Sequence, residues 1–200
     1  SVAGADDYLR GKVVIDGGAW IGDTALLLQD SPAEKVYAFE PIPGIFEALV
    51  EVCAPFRKIQ PVQLGLGKVD QEATFVVNDS GSRLAESGTC KIHVTTIDRF
   101  MAGRGETCGL IKLDVEGMES DVIEGAIETI KRDKPILVIS IYHNPRDFFM
   151  IAQRIHALGL GYKLDIVPGH YKLLTEEIML VGQIAAPEDA MNPNSPCCHP

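Results

Sequence analysis

Short runs rich in Val, Ile and Leu alternate along this chain with segments of helical period, and no other feature restricts its fold as strongly. Strands buried on both faces read as nearly continuous apolar runs, and the helices between them cover a parallel sheet. We therefore predict an α/β fold with a mostly parallel sheet. The expected strands are 13–16, 36–40, 59–64, 110–114, 136–142, 162–167 and 178–182, and the expected helices are 23–28, 45–53, 120–131 and 147–158.

Two stretches depart from this alternation. Residues 65–98 hold strand-like runs at 73–77 and 91–97 around a turn-rich segment, which predicts a hairpin or flap inserted into the third crossover. After residue 161, two strand-like runs are separated by a turn with no room for a helix, so we expect an antiparallel pair with a reversed strand at one sheet edge. We expect one domain over residues 1–184 and a disordered tail over residues 185–200.

The charge balance and the apolar runs narrow the class of partner. The 18 Lys and Arg against 28 Asp and Glu give a formal net charge of −10. This excess argues against a nucleic-acid partner, because such binding depends on neutralising phosphates. No apolar run approaches the roughly 20 residues that span a bilayer, and the first residues lack the pattern of a signal peptide. Five cysteines without a Cys-x-x-Cys spacing favour reduced thiols, so we expect a cytoplasmic protein.

Residues 13–24 carry the clearest ligand signal. A buried strand there turns through glycines into a helix, and such a loop lets a ligand approach the backbone and meet the unpaired amides of the helix start. A dinucleotide cofactor favours three glycines, but Ala19 stands between Gly17 and Gly22 where the middle one belongs. The alternative is a plain tight turn followed by an acid in the first helical turn, Asp23.

Two acids at neighbouring strand tips distinguish between cofactor classes. A carboxylate at Asp16 repels a pyrophosphate but attracts the ammonium and sulfonium groups of S-adenosylmethionine. Glu40 lies 18 residues beyond Gly22, where an acid can accept both hydroxyls of an adenosine ribose. Pro41 and Pro43 restrict the loop that follows. Alone, Glu40 is equally well explained as a solvated strand-end acid, but together with Asp16 it favours the methyl donor.

Charged side chains at alternate positions mark the end of the fourth strand. Lys112, Asp114 and Glu116 share one face of a strand whose carboxyl end meets the crevice where open α/β sheets bind ligands. We expect Asp114 and Glu116 to take part in catalysis and Asp114 also to contact the cofactor. Glu119 falls at the next helix start, where a structural role toward the helix dipole is at least as well supported as chemistry.

The fifth strand delivers His143 to the same edge. Histidine is the side chain best suited to remove a proton near neutral pH, so His143 is the candidate base, with an ordinary hydrogen-bonded loop histidine as the alternative. Asp114, Glu116 and Asn144 offer oxygen ligands for a divalent metal, which the sequence does not establish.

The order and spacing of these segments form one pattern. Its residues are 16–24 (DGGAWIGDT), 39–43 (FEPIP) with Phe46 and Leu49, 96–98 (TID), 112–119 (KLDVEGME) followed by Gly125 and Ala126, and 140–145 (SIYHNP). Over roughly residues 12–182, the chain resembles the FkbM family of S-adenosylmethionine-dependent methyltransferases. The resemblance implies a Rossmann-like, seven-stranded sheet and methyl transfer, often to a hydroxyl of a sugar or polyketide-type natural product. The implied acceptor is thus a small molecule or a glycan.

The resemblance also implies roles for individual residues. The amino-acid end of the cofactor falls to Asp16, Gly18 and Gly22, its ribose to Glu40, and its adenine to a pair in the inserted flap. The full expected cofactor-binding set is Asp16, Gly17, Gly18, Ala19, Gly22, Asp23, Glu40, Pro41, Gly81, Ser82 and Asp114, and the expected catalytic set is His143, Asp114 and Glu116. Trp20 departs from the family pattern, since many relatives have a small or polar residue there.

We expect direct displacement, in which an acceptor hydroxyl attacks the sulfonium methyl in line while His143 or a bound water takes the proton. Two other functions remain open. An NAD(P)-dependent oxidoreductase is supported by the glycine loop and Glu40 but opposed by Asp16 and Ala19. A catalytically silent domain that binds the cofactor or a partner is opposed only by His143 and the acids around Asp114.

S-adenosylmethionine or its demethylated product should raise the melting temperature, because a ligand that binds only the folded state stabilises it by mass action. NAD and NADP should leave the melting temperature unchanged. Thermal unfolding and calorimetry with each compound measure both effects. Tight binding of either dinucleotide, with none of the sulfonium compound, would contradict the cofactor assignment.

Overall fold

The computed structural model describes residues 5–77, 88–144, 146–168 and 178–184. Its helices are α1 (Ala5–Leu9), α2 (Asp23–Leu28), α3 (Pro43–Cys53), α4 (Ile97–Met101), α5 (Glu119–Glu124), α6 (Ile127–Asp133) and α7 (Asp147–Ala157). Its strands are β1 (Val13–Gly17), β2 (Lys35–Phe39), β3 (Ile59–Val62), β4 (Gly65–Leu66), β5 (Gln71–Val77), β6 (Gly88–Thr95), β7 (Cys108–Leu113), β8 (Ile136–Ser140), β9 (Tyr162–Pro168) and β10 (Ile178–Ile184).

The large sheet has seven strands in the order β3-β2-β1-β7-β8-β10-β9. β1 pairs in parallel with both β2 and β7, and all five of its residues are buried. Because successive side chains of a strand point to opposite faces, Val13 and Ile15 enter the core on one side of the sheet and Val14 enters the core on the other. The predicted α/β fold with a mostly parallel sheet is therefore confirmed.

The reversed strand is β10, the second strand from one edge of the sheet. It runs antiparallel to β8 on one side and to β9 on the other. This arrangement matches the pair of strands that the sequence predicts after residue 161, and it places the reversal next to the last strand of the sheet. The edge is consequently distinct from that of a fully parallel dinucleotide-binding sheet.

A second, three-stranded sheet lies between β3 and β7 in the chain. Its order is β4-β6-β5, with β5 antiparallel to β6 and β4 parallel to it. These strands occupy the stretch where the sequence predicts an inserted hairpin. Leu66 of β4 anchors this sheet beside the tip of β1, since its Cδ1 would lie 3.0 Å from a Cβ placed on Gly17.

The prediction of one continuous helix over residues 120–131 is wrong, because this segment forms two helices, α5 and α6. The interruption falls at Gly125, where an added Cβ would lie 2.1 Å from the carbonyl oxygen of Gly67. The carbonyl oxygen of Gly125 also accepts a hydrogen bond from Asp98 N at 2.9 Å. Packing of the helical segment against these two distant backbones thus overrides its helical period.

The remaining helices differ less from expectation. α2 has the predicted bounds, and α3 and α7 agree within two residues at each end. Ile97, predicted to end a strand, instead begins α4 because Thr96 Oγ1 accepts a hydrogen bond from Arg99 N at 3.0 Å and caps a helix there. In the described ranges, no helix combines the length and apolar character needed to cross a membrane.

The turn after β1 approaches the end of β7 so closely that only glycine fits at Gly18. Its φ is +73°, and a Cβ there would lie 1.8 Å from the carbonyl oxygen of Asp114. Asp114 N donates to Gly17 O at 3.0 Å, so the two segments are also hydrogen-bonded. The close backbone approach that the sequence assigns to a ligand is therefore made, at this residue, by the chain itself.

The variant Gly18→Ala should lose more stability than Gly103→Ala. Both glycines have φ +73°, but a Cβ on Gly103 meets no atom within 4 Å. The left-handed backbone disfavours alanine by about 1–2 kcal/mol in each variant, and the clash at Gly18 should add about 1–3 kcal/mol. Urea unfolding measures the difference. Equal losses in the two variants would show that the contact with Asp114 relaxes freely.

Candidate active site

The carboxyl ends of four parallel strands bring the predicted residues to one edge of the large sheet. β2, β1, β7 and β8 pair in parallel in that order. Asp16 lies within β1, Glu40 directly follows β2, Asp114 follows β7 and His143 follows β8. This edge is where open α/β sheets bind their ligands.

Asp16 is completely buried and forms an ion pair with Lys112. The register of β1 and β7 sets the two residues opposite each other, and Lys112 Nζ lies 3.0 Å from Asp16 Oδ1. The same ammonium donates a hydrogen bond to Gly18 O at 3.0 Å. Burial raises the pKa of Asp16, and the positive charge of Lys112 opposes that rise. Asp16 thus has an internal cation as partner, a role for Lys112 that the sequence pattern alone did not reveal.

The loop from Gly18 to Gly22 has three residues in the left-handed region. Their φ values are +73° at Gly18, +47° at Trp20 and +98° at Gly22. Ala19 N donates to Phe39 O at 2.9 Å, which ties the loop to the end of β2. The Trp20 side chain is 45% exposed. The loop therefore bridges the tips of β1 and β2 and presents an aromatic ring to solvent.

Glu40 is buried, with 6% of its surface exposed, so the alternative of a solvated strand-end acid is wrong. Its Oε1 accepts a hydrogen bond from Ile42 N at 2.8 Å. Burial raises the pKa of Glu40 to about 7, and the backbone amides of Ile42 and Trp20 oppose that rise. The Glu40 carboxyl group therefore contacts the backbone of the glycine loop at Trp20, and its pKa lies close to neutral pH.

His143 lies among three carboxylates. Its Nδ1 is 2.8 Å from Glu119 Oε1, and its Nε2 is 3.7 Å from Asp114 Oδ1 and 3.5 Å from Glu116 Oε2. Tyr142 reinforces the group, since its hydroxyl donates to Asp114 Oδ1 at 3.1 Å. The structure therefore brings together the three residues that the sequence predicts as catalytic.

Glu119 makes the shortest of these contacts, although the sequence favours a structural role at least equally. Glu116 and Gly117 adopt positive φ values of +54° and +94°, which turns the chain back on itself. As a result Glu119 Oε1 accepts a hydrogen bond from Val115 N at 3.0 Å, and the side chain is fully buried. The Glu116-Gly117 pair in the sequence indicates a turn before Glu119. The direction in which that turn sends the chain depends on backbone angles that the composition does not predict.

The side chains that could hold a divalent metal in the structure differ from those that the sequence suggests. Asp114, Glu119 and His143 offer ligand atoms that all lie within 4.8 Å of one another. Asn144, which the sequence groups with Asp114 and Glu116, uses its Oδ1 to accept a hydrogen bond from Arg146 N at 3.0 Å at the start of α7. A divalent ion at this edge is an alternative that neither the sequence nor these contacts establish.

The other predicted residues lie around the same edge or outside the described ranges. Gly22 packs on α3, where a Cβ would lie 3.0 Å from Cys53 Sγ. Asp23 is exposed, and its Oδ1 accepts a hydrogen bond from Thr24 N at 2.8 Å. Pro41 is half-buried beside Glu40. The expected adenine contacts, Gly81 and Ser82, lie outside the described residues.

Glu40 should make stability depend on pH. Its pKa rises from 4.5 to about 7 in the folded chain, so folding favours the neutral form, and stability is lost as the pH increases through that interval. Relative to Glu40→Gln, the native chain should lose up to about 3 kcal/mol of unfolding free energy between pH 4.5 and pH 8. Urea titrations across this range measure the difference, with Glu47→Gln on the exposed face of α3 as the control. Parallel curves for all three proteins would contradict the raised pKa.

Comparisons with known proteins agree with this fold. The chain matches the methyltransferase FkbM domain over residues 16–164. It resembles the structure of methyltransferase FkbM from Methylobacillus flagellatus with 24% identity and a TM-score of 0.66, over 86% of this chain and 43% of that one. The chain thus spans less than half the length of that relative. No curated protein sequence matches this chain.

Two further structures share the fold at lower identity. An rRNA methylase from Streptococcus thermophilus has 12% identity and a TM-score of 0.59, over 91% of this chain and 92% of its own. Fibrillarin from Aeropyrum pernix, solved with natively bound S-adenosyl-L-methionine, has 14% identity and a TM-score of 0.56, over 88% of this chain and 67% of its own. The domain match covers well over half of the sequence, and the chain therefore belongs to the FkbM methyltransferase domain family.

Proposed function

We propose that this domain transfers a methyl group from S-adenosylmethionine to a hydroxyl of a small-molecule or glycan acceptor, such as a sugar or natural product. The observation that carries the proposal is the position of His143. Its Nδ1 contacts the buried Glu119, and its Nε2 faces Asp114 and Glu116 at the edge where the glycine loop and Glu40 also lie. A base next to a cofactor site can take the proton that hydroxyl methylation releases.

The cofactor side of the proposal rests on the tips of β1 and β2. Glu40 lies below a loop that is hydrogen-bonded to the end of β2, where its carboxylate can accept the ribose hydroxyls. Asp16 Oδ2 accepts no hydrogen bond from the described residues, so we assign the cofactor's ammonium to this buried oxygen. Fibrillarin from Aeropyrum pernix, with the same fold, holds S-adenosyl-L-methionine, which supports the choice. Gly81 and Ser82 complete the proposed adenine contacts.

The proposed reaction is an in-line displacement. When bound, S-adenosylmethionine supplies a methyl group already activated by its positive sulfur, which leaves as a neutral thioether. The acceptor oxygen forms the new bond to carbon as the carbon–sulfur bond breaks, and the hydroxyl proton passes to His143 Nε2. Asp114 and Glu116, which face that nitrogen, stabilise the imidazolium that results. The protein otherwise contributes orientation and exclusion of water.

The acceptor class follows from charge as well as from the family. A net charge of −10 disfavours a polyanionic acceptor, because each phosphate would have to approach an acidic surface. The rRNA methylase from Streptococcus thermophilus shows that the same fold serves RNA methylation in another protein. RNA is therefore the comparison arm of an acceptor screen, alongside sugars, glycans and polyketide-type alcohols.

Replacement of His143 should lower turnover by about 10²–10⁴-fold while S-adenosylmethionine binding stays within a few-fold, since a positioned base acts on the chemical step. Both His143→Ala and His143→Asn should show this loss in transfer of labelled methyl to an acceptor found in the screen. His156→Ala, on the exposed side of α7, is the matched control. Wild-type turnover in His143→Ala would show that His143 takes no part in the chemistry. Methyl transfer to RNA but to no small-molecule hydroxyl would overturn the proposed acceptor class.

A further inference from the structure

The contact between Glu119 and His143 joins two elements that are distant in the chain. Glu119 begins α5 and His143 follows β8, yet Glu119 Oε1 and His143 Nδ1 lie 2.8 Å apart. The same oxygen accepts a hydrogen bond from Val115 N, so the carboxylate is held in place from its other side. Glu119 is fully buried and only 12% of the His143 side chain is exposed, which limits the freedom of both groups.

This contact selects one tautomer of the imidazole. A carboxylate has no proton to donate, so the hydrogen bond requires the proton on Nδ1. In the neutral imidazole, Nε2 then carries a lone pair and no proton. That nitrogen is the one that faces Asp114 and Glu116 at the strand-end edge.

The carboxylates around His143 have no other cationic partner among the described residues. Among the described residues, no Lys or Arg forms an ion pair with Asp114, Glu116 or Glu119, whose only ionic contacts are with His143. Asp16, by contrast, is matched by Lys112. His143 is thus the one basic side chain in ionic contact with these three carboxylates among the described residues.

We infer that Glu119 is a positioning residue for His143: it fixes the imidazole ring in the tautomer that leaves Nε2 free to take the acceptor's proton. This inference rests on the proposed function and extends it to a residue that does not touch the acceptor. The proton moves from the acceptor hydroxyl to Nε2, while the proton on Nδ1 stays between His143 and Glu119. The logic is that of a carboxylate that orients a catalytic histidine.

Imidazole nitrogen NMR of the wild-type protein tests the tautomer without any turnover. With a chelator present, the neutral His143 ring should show the proton on Nδ1, and Glu119→Gln should shift the population toward Nε2, because an amide can donate to Nδ1. Glu124→Gln, an exposed residue of the same helix that pairs with Arg154, should change neither. A wild-type ring protonated on Nε2 overturns the inference even if no acceptor is ever found, which separates its failure from failure of the proposed function.

The kinetic test is a double-mutant cycle. Glu119→Gln should lower kcat by about 10²–10⁴-fold with KM nearly unchanged, and it should add little further loss in the His143→Ala background, because residues that act as a unit are not additive. Independent, multiplying losses would mean that Glu119 acts only through stability and would overturn the inference. A chelator should leave wild-type turnover unchanged. Loss of activity that Mg²⁺ or Mn²⁺ restores would also overturn it, because Glu119 and His143 would then be metal ligands.

Discussion

The buried ion pair of Asp16 and Lys112 connects the centre of the sheet to the loop that defines the site. It spans two adjacent parallel strands, and the same ammonium holds the carbonyl oxygen of Gly18. Loss of one partner of such a pair typically destabilises a protein by about 3–5 kcal/mol, because the other charge is left buried and unpaired. The glycine loop is therefore held in part by this interaction, in addition to the hydrogen bond from Ala19 N to Phe39 O.

Three buried carboxylates at the strand ends have three different kinds of partner. Asp16 faces an ammonium, Glu119 faces an imidazole, and Glu40 faces backbone amides. Burial raises the pKa of both Asp16 and Glu40; the backbone amides that oppose the rise at Glu40 carry no net charge, and its pKa reaches about 7. The same edge of the sheet thus combines a carboxylate neutralised by a fixed cation with one whose charge changes near neutral pH. The group around Glu119 and His143 holds uncompensated negative charge. The environments of Asp16 and Glu40 suit ligand binding, and that of Glu119 and His143 suits proton transfer.

The family match and the structural neighbours agree on the fold but not on one acceptor. Proteins with closely similar sheets include an rRNA methylase and a fibrillarin, both at low identity to this chain. A shared fold positions a cofactor at the same strand ends, whereas the acceptor is chosen by side chains and charge around it. For this chain, our proposal of a neutral hydroxyl acceptor rests on the acidic balance and on the histidine among carboxylates.

The sequence by itself determined the fold class, most strand positions and which predicted residues meet at the strand-end edge, while the roles of those residues stay predictions. Apolar periodicity predicts which residues are buried, because residues that face the core recur at the period of their own helix or strand. Tertiary structure decided the partners: Lys112 opposite Asp16, Glu119 against His143, the amides around Glu40 and the interruption of a helix at Gly125. Each of these depends on strand register or on a turn between residues far apart in the chain. Such contacts follow from the geometry of the whole sheet, which no local pattern specifies.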